Sequence, residues 1–340
     1  MRSLLAAVCV LAIVAVQQSS AGPACTPLYR KLCRVSDWSV WSPKDNIFGC
    51  SRVFRTRTVI DNPLGSTACC PALREEKEQC GVPTREQTVG AMSAGFLGPL
   101  SGDGFRKADG STGKIDVLFV FDKSGSVREV NFNDAKQNIQ NLIEDFPAPV
   151  DPDNTRVAAI SFSDVDKTRV EFDFNESGSR SEVRAALGSI AYERGWTATA
   201  TALSLARDNV FQSVAGSRAD SAKILFLITD GKSNRGGAPI PVADQLKAND
   251  VEMFAFAVGP ENQINEDELR SIVSDPVPEH LFYADSFSSM SGVFTDLITI
   301  LRERFGGELG VSPGGYLTNC SKIFYNGWQH TQKKFILVLT

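Results

Sequence analysis

Lys114-Ile115-Asp116-Val117-Leu118-Phe119-Val120-Phe121-Asp122-Lys123-Ser124-Gly125-Ser126 sets the architecture of this chain. Ile115 to Phe121 is almost continuously apolar, the pattern of a strand covered on both faces. A D-x-S-x-S run follows it directly. Two more pieces lie further along: Thr197, ahead of a helix-like segment, and Asp230, which closes the apolar run Ile224 to Ile228 and precedes Gly231. Taken singly, each piece has a plain explanation, because Asp, Ser and Thr favour helix N-caps and Asp-Gly favours turns. Together, in order and at strand ends, Asp122, Ser124, Ser126, Thr197 and Asp230 form an all-oxygen set. Without His or Cys, such a set suits Mg²⁺, Mn²⁺ or Ca²⁺ rather than zinc. Ligands of open α/β sheets gather outside the carboxyl ends of the strands, where these residues fall.

The surrounding chain alternates apolar runs with helical patterns, as βαβ units on a mostly parallel sheet do. Phe132, Ala135, Ile139, Leu142, Ile143 and Phe146 recur at helical spacing, and so do Met290, Val293, Phe294, Leu297, Ile298 and Leu301. Strands are predicted at Val157 to Phe162, Ile224 to Ile228, Val251 to Val258 and Leu281 to Tyr283. Val170, Phe172 and Phe174 alternate with acidic residues, predicting an antiparallel edge strand. Residues 114–305 therefore read as a doubly wound α/β domain. The motif pieces and this layout resemble the von Willebrand factor A domain, found in integrins and many matrix proteins, with its metal-ion-dependent adhesion site. The resemblance implies that Ser124 and Ser126 bind the ion directly, that Thr197 does so when a ligand is engaged, and that Asp122 and Asp230 often act through water. It also implies an open coordination position that a partner's carboxylate fills. Lys123 departs from the small residue that many relatives carry there.

Residues 25–80 read as a second, small domain. Six cysteines, Cys25, Cys33, Cys50, Cys69, Cys70 and Cys80, crowd into it, which indicates a disulfide framework whose pairing the sequence leaves open. Trp38-Ser39-Val40-Trp41 is followed by Arg55-Thr56-Arg57, whose arginines share one face of an extended strand. Their guanidinium groups are expected to stack on the indoles. These features resemble a thrombospondin type 1 repeat, which implies a three-stranded domain and C-mannosylation at Trp38. The C-S-x-T-C-G element of that family is missing. A glycosaminoglycan contact through Arg52, Arg55 and Arg57 competes with the reading that stacking occupies these arginines. Arg85 to Gly113, with seven glycines and no sustained periodicity, reads as a flexible tether, so the linker is placed at 81–113 and a tail at 306–340.

Arg2, the apolar stretch Leu4 to Val16 and the small residues Ser19 and Ala21 read as a secretory signal over 1–21. No other stretch reaches the length of a membrane span. Asn175 and Asn319 open N-glycosylation sequons, and Cys320 is left over, either to link a second copy of the chain, to pair with Cys25 and free a different cysteine, or to stay a free thiol. Charge is uneven: residues 22–113 carry a balance of +3 and residues 114–305 a balance of −11. That acidity argues against nucleic acid as a partner. No catalytic constellation emerges, and neither His280 nor His330 suggests one. The expectation is a secreted, non-enzymatic adhesion or matrix protein that binds an acidic residue of a protein partner through a divalent cation. The alternative is a structural matrix component, crosslinked by disulfides and indifferent to metal.

Overall fold

The computed structural model describes residues 33–62, 70–97, 113–146 and 148–305. The described residues form two compact units: the smaller draws on residues 33–41 and on Phe54–Lys77, the larger on Ser42–Val53 and on the described residues from Glu78 to Phe305.

A six-stranded sheet organises the larger unit. Its strands are β5 (Lys114–Asp122), β6 (Thr155–Phe162), β7 (Arg169–Phe172), β8 (Ser221–Thr229), β9 (Val251–Val258) and β10 (Leu281–Ala284), in the order β10-β9-β8-β5-β6-β7. Neighbours run parallel except β7, which lies antiparallel at the edge beside β6. This is the expected mostly parallel α/β sheet. Along β5, Val117, Phe119 and Phe121 enter one core while Leu118 and Val120 enter the other, following the period of two. Phe132, Ile139 and Leu142 of the helix Glu129–Glu144, with Val293, Phe294 and Leu297 of the helix Phe287–Phe305, cover the first face. Ala202, Leu203 and Leu246 cover the second. Each large apolar side chain so buried contributes about 1.5–3 kcal/mol. Asp116, a charge inside β5, is also buried; Arg218 and the Ser221 hydroxyl meet its carboxylate at 2.7 and 2.6 Å. From β5 the chain leaves to β6 on one side and returns as β8 on the other. This reversal opens a crevice at the carboxyl ends of β5 and β8, where Asp122 and Asp230 stand.

The linker expectation over 81–113 needs correction. Arg85–Ala94 is an α-helix, α1, closed by a reciprocal cap: Gln87 N–H donates to Thr84 Oγ1 (3.3 Å) and Thr84 N–H to Gln87 Oε1 (2.9 Å). Val89, Met92, Phe96 and Leu97 are buried in the first core, and the Phe96 ring lies 4.6 Å from Phe226 and 5.4 Å from Phe254. Arg85 grips Asp296 at 2.7 Å, and its guanidinium also donates to Gly292 O (2.6 Å). Gly95 passes so close to Glu279 that a Cβ would lie 1.9 Å from its carbonyl oxygen, so no other residue fits.

The boundary at Cys80 moves as well, because Ser42–Val53 packs into the larger unit. Glu266 accepts the N–H groups of Ile47 (2.7 Å) and Phe48 (3.1 Å), and Phe48 meets Tyr283 edge-on at 5.2 Å. Lys44 is buried and donates to the carbonyls of Ile47, Gly49 and Gly81. The Cys50–Cys80 disulfide joins the two stretches of this strap.

In the smaller unit, β1 (Arg34–Val35) pairs antiparallel with β3 (Val59–Asp61); β2 (Cys50–Thr56) and β4 (Arg74–Cys80), of which Phe54–Thr56 and Arg74–Lys77 belong to this unit, pair separately. The expected three-stranded sheet is thus two ribbons among the described residues. The reason lies in residues 36–41, which attach only at intervals: Ser36 N–H donates to Thr58 O (2.8 Å) and Ser39 N–H to Thr56 O (2.7 Å). Their tryptophans instead enter a cation–indole ladder. Arg57 lies 4.2 Å from Trp38, Arg55 sits at 4.9 and 4.7 Å from Trp38 and Trp41, and Lys77 lies 4.1 Å from Trp41. Each such contact contributes about 0.5–2 kcal/mol. Cys33–Cys70 bridges this unit. Cys25, Cys69, Cys320, Asn319, His330 and the expected signal lie outside the described residues.

Candidate metal centre

Three loops build the site. The first leaves β5 and carries Asp122, Ser124 and Ser126; of these, Asp122 and Ser124 are buried and Ser126 is exposed. Asp122 Oδ1 accepts Ser124 N–H (2.8 Å), and Asp122 Oδ2 accepts the Thr229 hydroxyl (2.7 Å). The Ser124 and Ser126 hydroxyls stand 3.1 Å apart, and Ser126 Oγ donates to Asp230 Oδ1 at 2.9 Å. Four of the five predicted residues are therefore linked by hydrogen bonds within one crevice.

Thr197 joins them through the backbone. Gly125 N–H donates to Gly195 O (2.9 Å), which ties the Thr197 loop to the first loop. Thr197 N–H donates to Asn234 Oδ1 (3.0 Å), and Thr197 O accepts from Asn234 N–H (3.0 Å), which ties it to the loop after Asp230. Its own hydroxyl makes no hydrogen bond among the described residues and stays available as an oxygen donor. Gly195 permits this placement, because a Cβ there would lie 2.6 Å from Asp164 Oδ2 and 2.9 Å from Asp164 N.

The electrostatics suit a cation. Asp122 and Asp230 are each 4% exposed, and neither forms an ion pair among the described residues. Burial raises the Asp122 carboxyl to about 6, opposed by the hydrogen bonds from Ser124 N–H and the Thr229 hydroxyl. Burial and the neighbouring Asp122 charge raise Asp230 to about 7, opposed by the Ser126 hydroxyl. Two buried carboxylates that repel each other, beside two or three hydroxyl oxygens, make a donor set that fits a hard divalent ion. No group of three or more His, Cys, Asp or Glu among the described residues is placed to hold a metal, so any ion here depends on the hydroxyls.

Several supporting residues escaped the sequence reading. Thr229 and Asn234 anchor Asp122 and Thr197, and Tyr192 donates to Ser124 O (3.1 Å). Lys123 is fully buried, with its ammonium 3.4 Å from Glu193 and 4.0 Å from Glu171. Burial, with the Arg169 charge nearby, lowers its pKa, while the two carboxylates oppose that shift. Lys123 thus secures the first loop to the segment that leads into Thr197. Only the adjacency of Thr229 to Asp230 was visible in the sequence.

Other predicted positions fall elsewhere. His280 is structural: its ring stacks on Phe254 at 4.5 Å and its nitrogens lie 3.0 Å from Pro276 O and Glu252 Oε1. Asn175 is exposed, but its amide donates to Val214 O (2.9 Å), and the sequon's Ser177 is buried, accepting from Val157 N–H (2.9 Å). No helix among the described residues is long and apolar enough to cross a membrane.

The profile of the von Willebrand factor type A domain matches residues 116–296. Matrilin-1 of Gallus gallus is 33% identical over 185 residues, covering 54% of this chain and 36% of that protein. Sushi, von Willebrand factor type A, EGF and pentraxin domain-containing protein 1 of Mus musculus is 34% identical over 187 residues, covering 54% and 5%. Integrin alpha-X of Mus musculus is 30% identical over 188 residues, covering 54% and 15%. This chain therefore spans only about a third of matrilin-1 and less of the other two. The solved structure of proximal thread matrix protein 1 from the mussel byssus overlays with a TM-score of 0.49 at 25% identity, covering 54% of this chain and 47% of that one, a likeness too slight to bear on function.

Proposed function

Since the chain belongs to the von Willebrand factor type A domain family, we propose that it is a secreted adhesion or matrix protein that binds a partner through a divalent cation. Asp122, Ser124, Ser126, Thr197 and Asp230 would hold the ion, with Mg²⁺ first and Mn²⁺ or Ca²⁺ as alternatives. When bound, the ion supplies a positive charge with a coordination position for a partner's carboxylate. One observation carries the reading: two buried carboxylates without a cationic partner share the crevice with the hydroxyl oxygens of Ser124 and Ser126.

The chain's own residues do the remaining work. Asp122 and Asp230 provide charge, and burial keeps water from screening it. Thr229, Tyr192, Asn234 and Lys123 hold the three loops in register. A location outside the cell, binding rather than catalysis, and matrilin- or integrin-like partnering belong to this proposal. So does the reading of the smaller unit as a thrombospondin type 1-like repeat, supported by its arginine–tryptophan ladder. Because that ladder occupies Arg55 and Arg57, and Arg55 also pairs with Glu75 at 2.6 Å, glycosaminoglycan binding is left out.

Capture of proteins from native matrix tests the proposal, with wild type and Asp230→Asn in Mg²⁺ and in EDTA. A partner held by the wild type in Mg²⁺, and released by both EDTA and the substitution, is the expected result. Binding indifferent to EDTA would favour the disulfide-crosslinked structural component.

A further inference from the structure

Four exposed cations stand on the loops around the crevice, beside the carboxylates of Glu129 and Asp164. Residues 114–305 have a net balance of −11, yet Arg128, Arg194, Lys232 and Arg235 are exposed on the three loops that carry the site. Elsewhere on the domain, arginines such as Arg169, Arg184, Arg218 and Arg302 meet carboxylates at 2.7 to 2.9 Å. Arg194 and Arg235 form no ion pair among the described residues. Arg194 lies across the first loop, where a Cβ on Gly125 would come within 2.9 Å of its Nε. Arg235 stacks on Trp196 at 4.4 Å and donates to Asn234 O (3.1 Å). Trp196, next to Thr197, is 55% exposed, while its backbone N–H donates to Asp164 Oδ1 at 3.1 Å. Asp164 itself is paired with Lys167 at 3.1 Å.

We propose that Arg194, Arg235 and Trp196 form a recognition rim for an extended acidic protein segment, in which the site-bound carboxylate is flanked two positions away by a second Asp or Glu. This deepens the proposed function and rests on it. The chemistry follows from complementarity. One carboxylate in the crevice leaves both guanidinium groups without a direct ion pair, Arg235 feeling only the more distant charge of Asp164, and a planar fork favours a further carboxylate. In an extended segment, side chains two positions apart share a face, about 6.6–7 Å from each other. The exposed indole offers such a segment a flat apolar surface, and the stacked Arg235 restrains the ring. Specificity for acidic neighbours would thus come from the rim, while the crevice itself accepts any carboxylate.

Fluorescence polarisation with labelled nonapeptides tests this. Each peptide carries a central Glu in a Gly/Ser background, with Glu, Ser or Lys two residues to either side. In Mg²⁺ the Glu-flanked peptide should bind the wild type about three- to tenfold tighter than the Ser-flanked one, with the Lys-flanked peptide weakest. The Arg194→Gln/Arg235→Gln double variant should lose that preference, and Trp196→Ala should weaken all three peptides. Both variants should keep the wild-type Mg²⁺-induced rise in melting temperature, which shows that they are folded. Equal binding of the three peptides, a preference that survives the double variant, no peptide binding up to millimolar concentration, or stronger retention of heparin than of peptide in EDTA would each overturn the rim. A wild type without any Mg²⁺-induced rise would instead sink the metal reading. The rim would then stand or fall on whether the flank preference and its loss in the double variant appear in EDTA.

Discussion

Phe96→Ala measures whether the chain before β5 is a tether or part of the domain. The Phe96 side chain is fully buried, with its ring against Phe226 and Phe254. Truncating a buried phenylalanine costs about 3–5 kcal/mol, a range that already includes the lost ring contacts. A domain of this size loses about 2–4 °C of melting temperature per kcal/mol, so the shift should be roughly 6–20 °C. Phe96→Leu keeps most of the volume and should lose less than half as much. Thermal and urea melts of the full chain, followed by near-ultraviolet circular dichroism, give both numbers. A cost below about 1 kcal/mol for Phe96→Ala would refute the reasoning, because a flexible linker gives that result.

Removing the Cys50–Cys80 bridge as a paired Cys→Ala variant should cost about 2–4 kcal/mol in the larger unit, because the bridge closes a loop with a sequence separation of 30; urea melts that coincide with wild type would contradict this. Arg128 has φ of +65° and ψ of 155°, a region that suits glycine, so Arg128→Gly should stabilise the metal-free protein by about 1 kcal/mol, and a destabilised variant would show that no strain resides there. Asp122 and Asp230 have folded-state values near 6 and 7, above that of an unfolded aspartate. Their protons therefore favour the folded state, and the gain is lost as pH rises through 6 to 7. Melting temperature in EDTA should accordingly rise from pH 8 to pH 5.5, while the added stabilisation by Mg²⁺ should shrink over the same interval; the opposite slopes would show that these carboxyls are not buried as described.

Strand and helix positions of the α/β domain were legible because burial on both sheet faces forces long apolar runs. Ile115 to Phe121 and Val251 to Val258 became strands with nearly those bounds. The candidate set was legible as a cluster because Asp122 ends β5 and Asp230 follows β8, whereas Thr197 stands in a loop between two helices. What escaped had contradictory signals. Thr84-Arg85-Glu86-Gln87 spells a capping box, and Val89, Met92 and Phe96 follow at helical spacing, yet the neighbouring glycines obscured the helix. Gly95 was read as flexibility, whereas the structure uses it for contact with Glu279. Ser42–Val53 was hidden because Ile47 and Phe48 find their partners more than two hundred residues later, at Glu266 and Tyr283. The arginine–tryptophan ladder was legible from the two-residue spacing of Arg55 and Arg57, while the added rung at Lys77 was not.

Asp122→Asn removes one buried charge and keeps an acceptor for Ser124 N–H and a polar partner for the Thr229 hydroxyl. Melting of wild type and variant, each in EDTA and in Mg²⁺ at about 100 times the wild-type Kd, therefore isolates the ion. The wild type should gain about 2.7 kcal/mol from Mg²⁺. The variant should gain almost nothing, while in EDTA it should be at least as stable as the wild type, because the repulsion with Asp230 is gone. Equal gains in the two proteins would show that the ion is not held between Asp122 and Asp230.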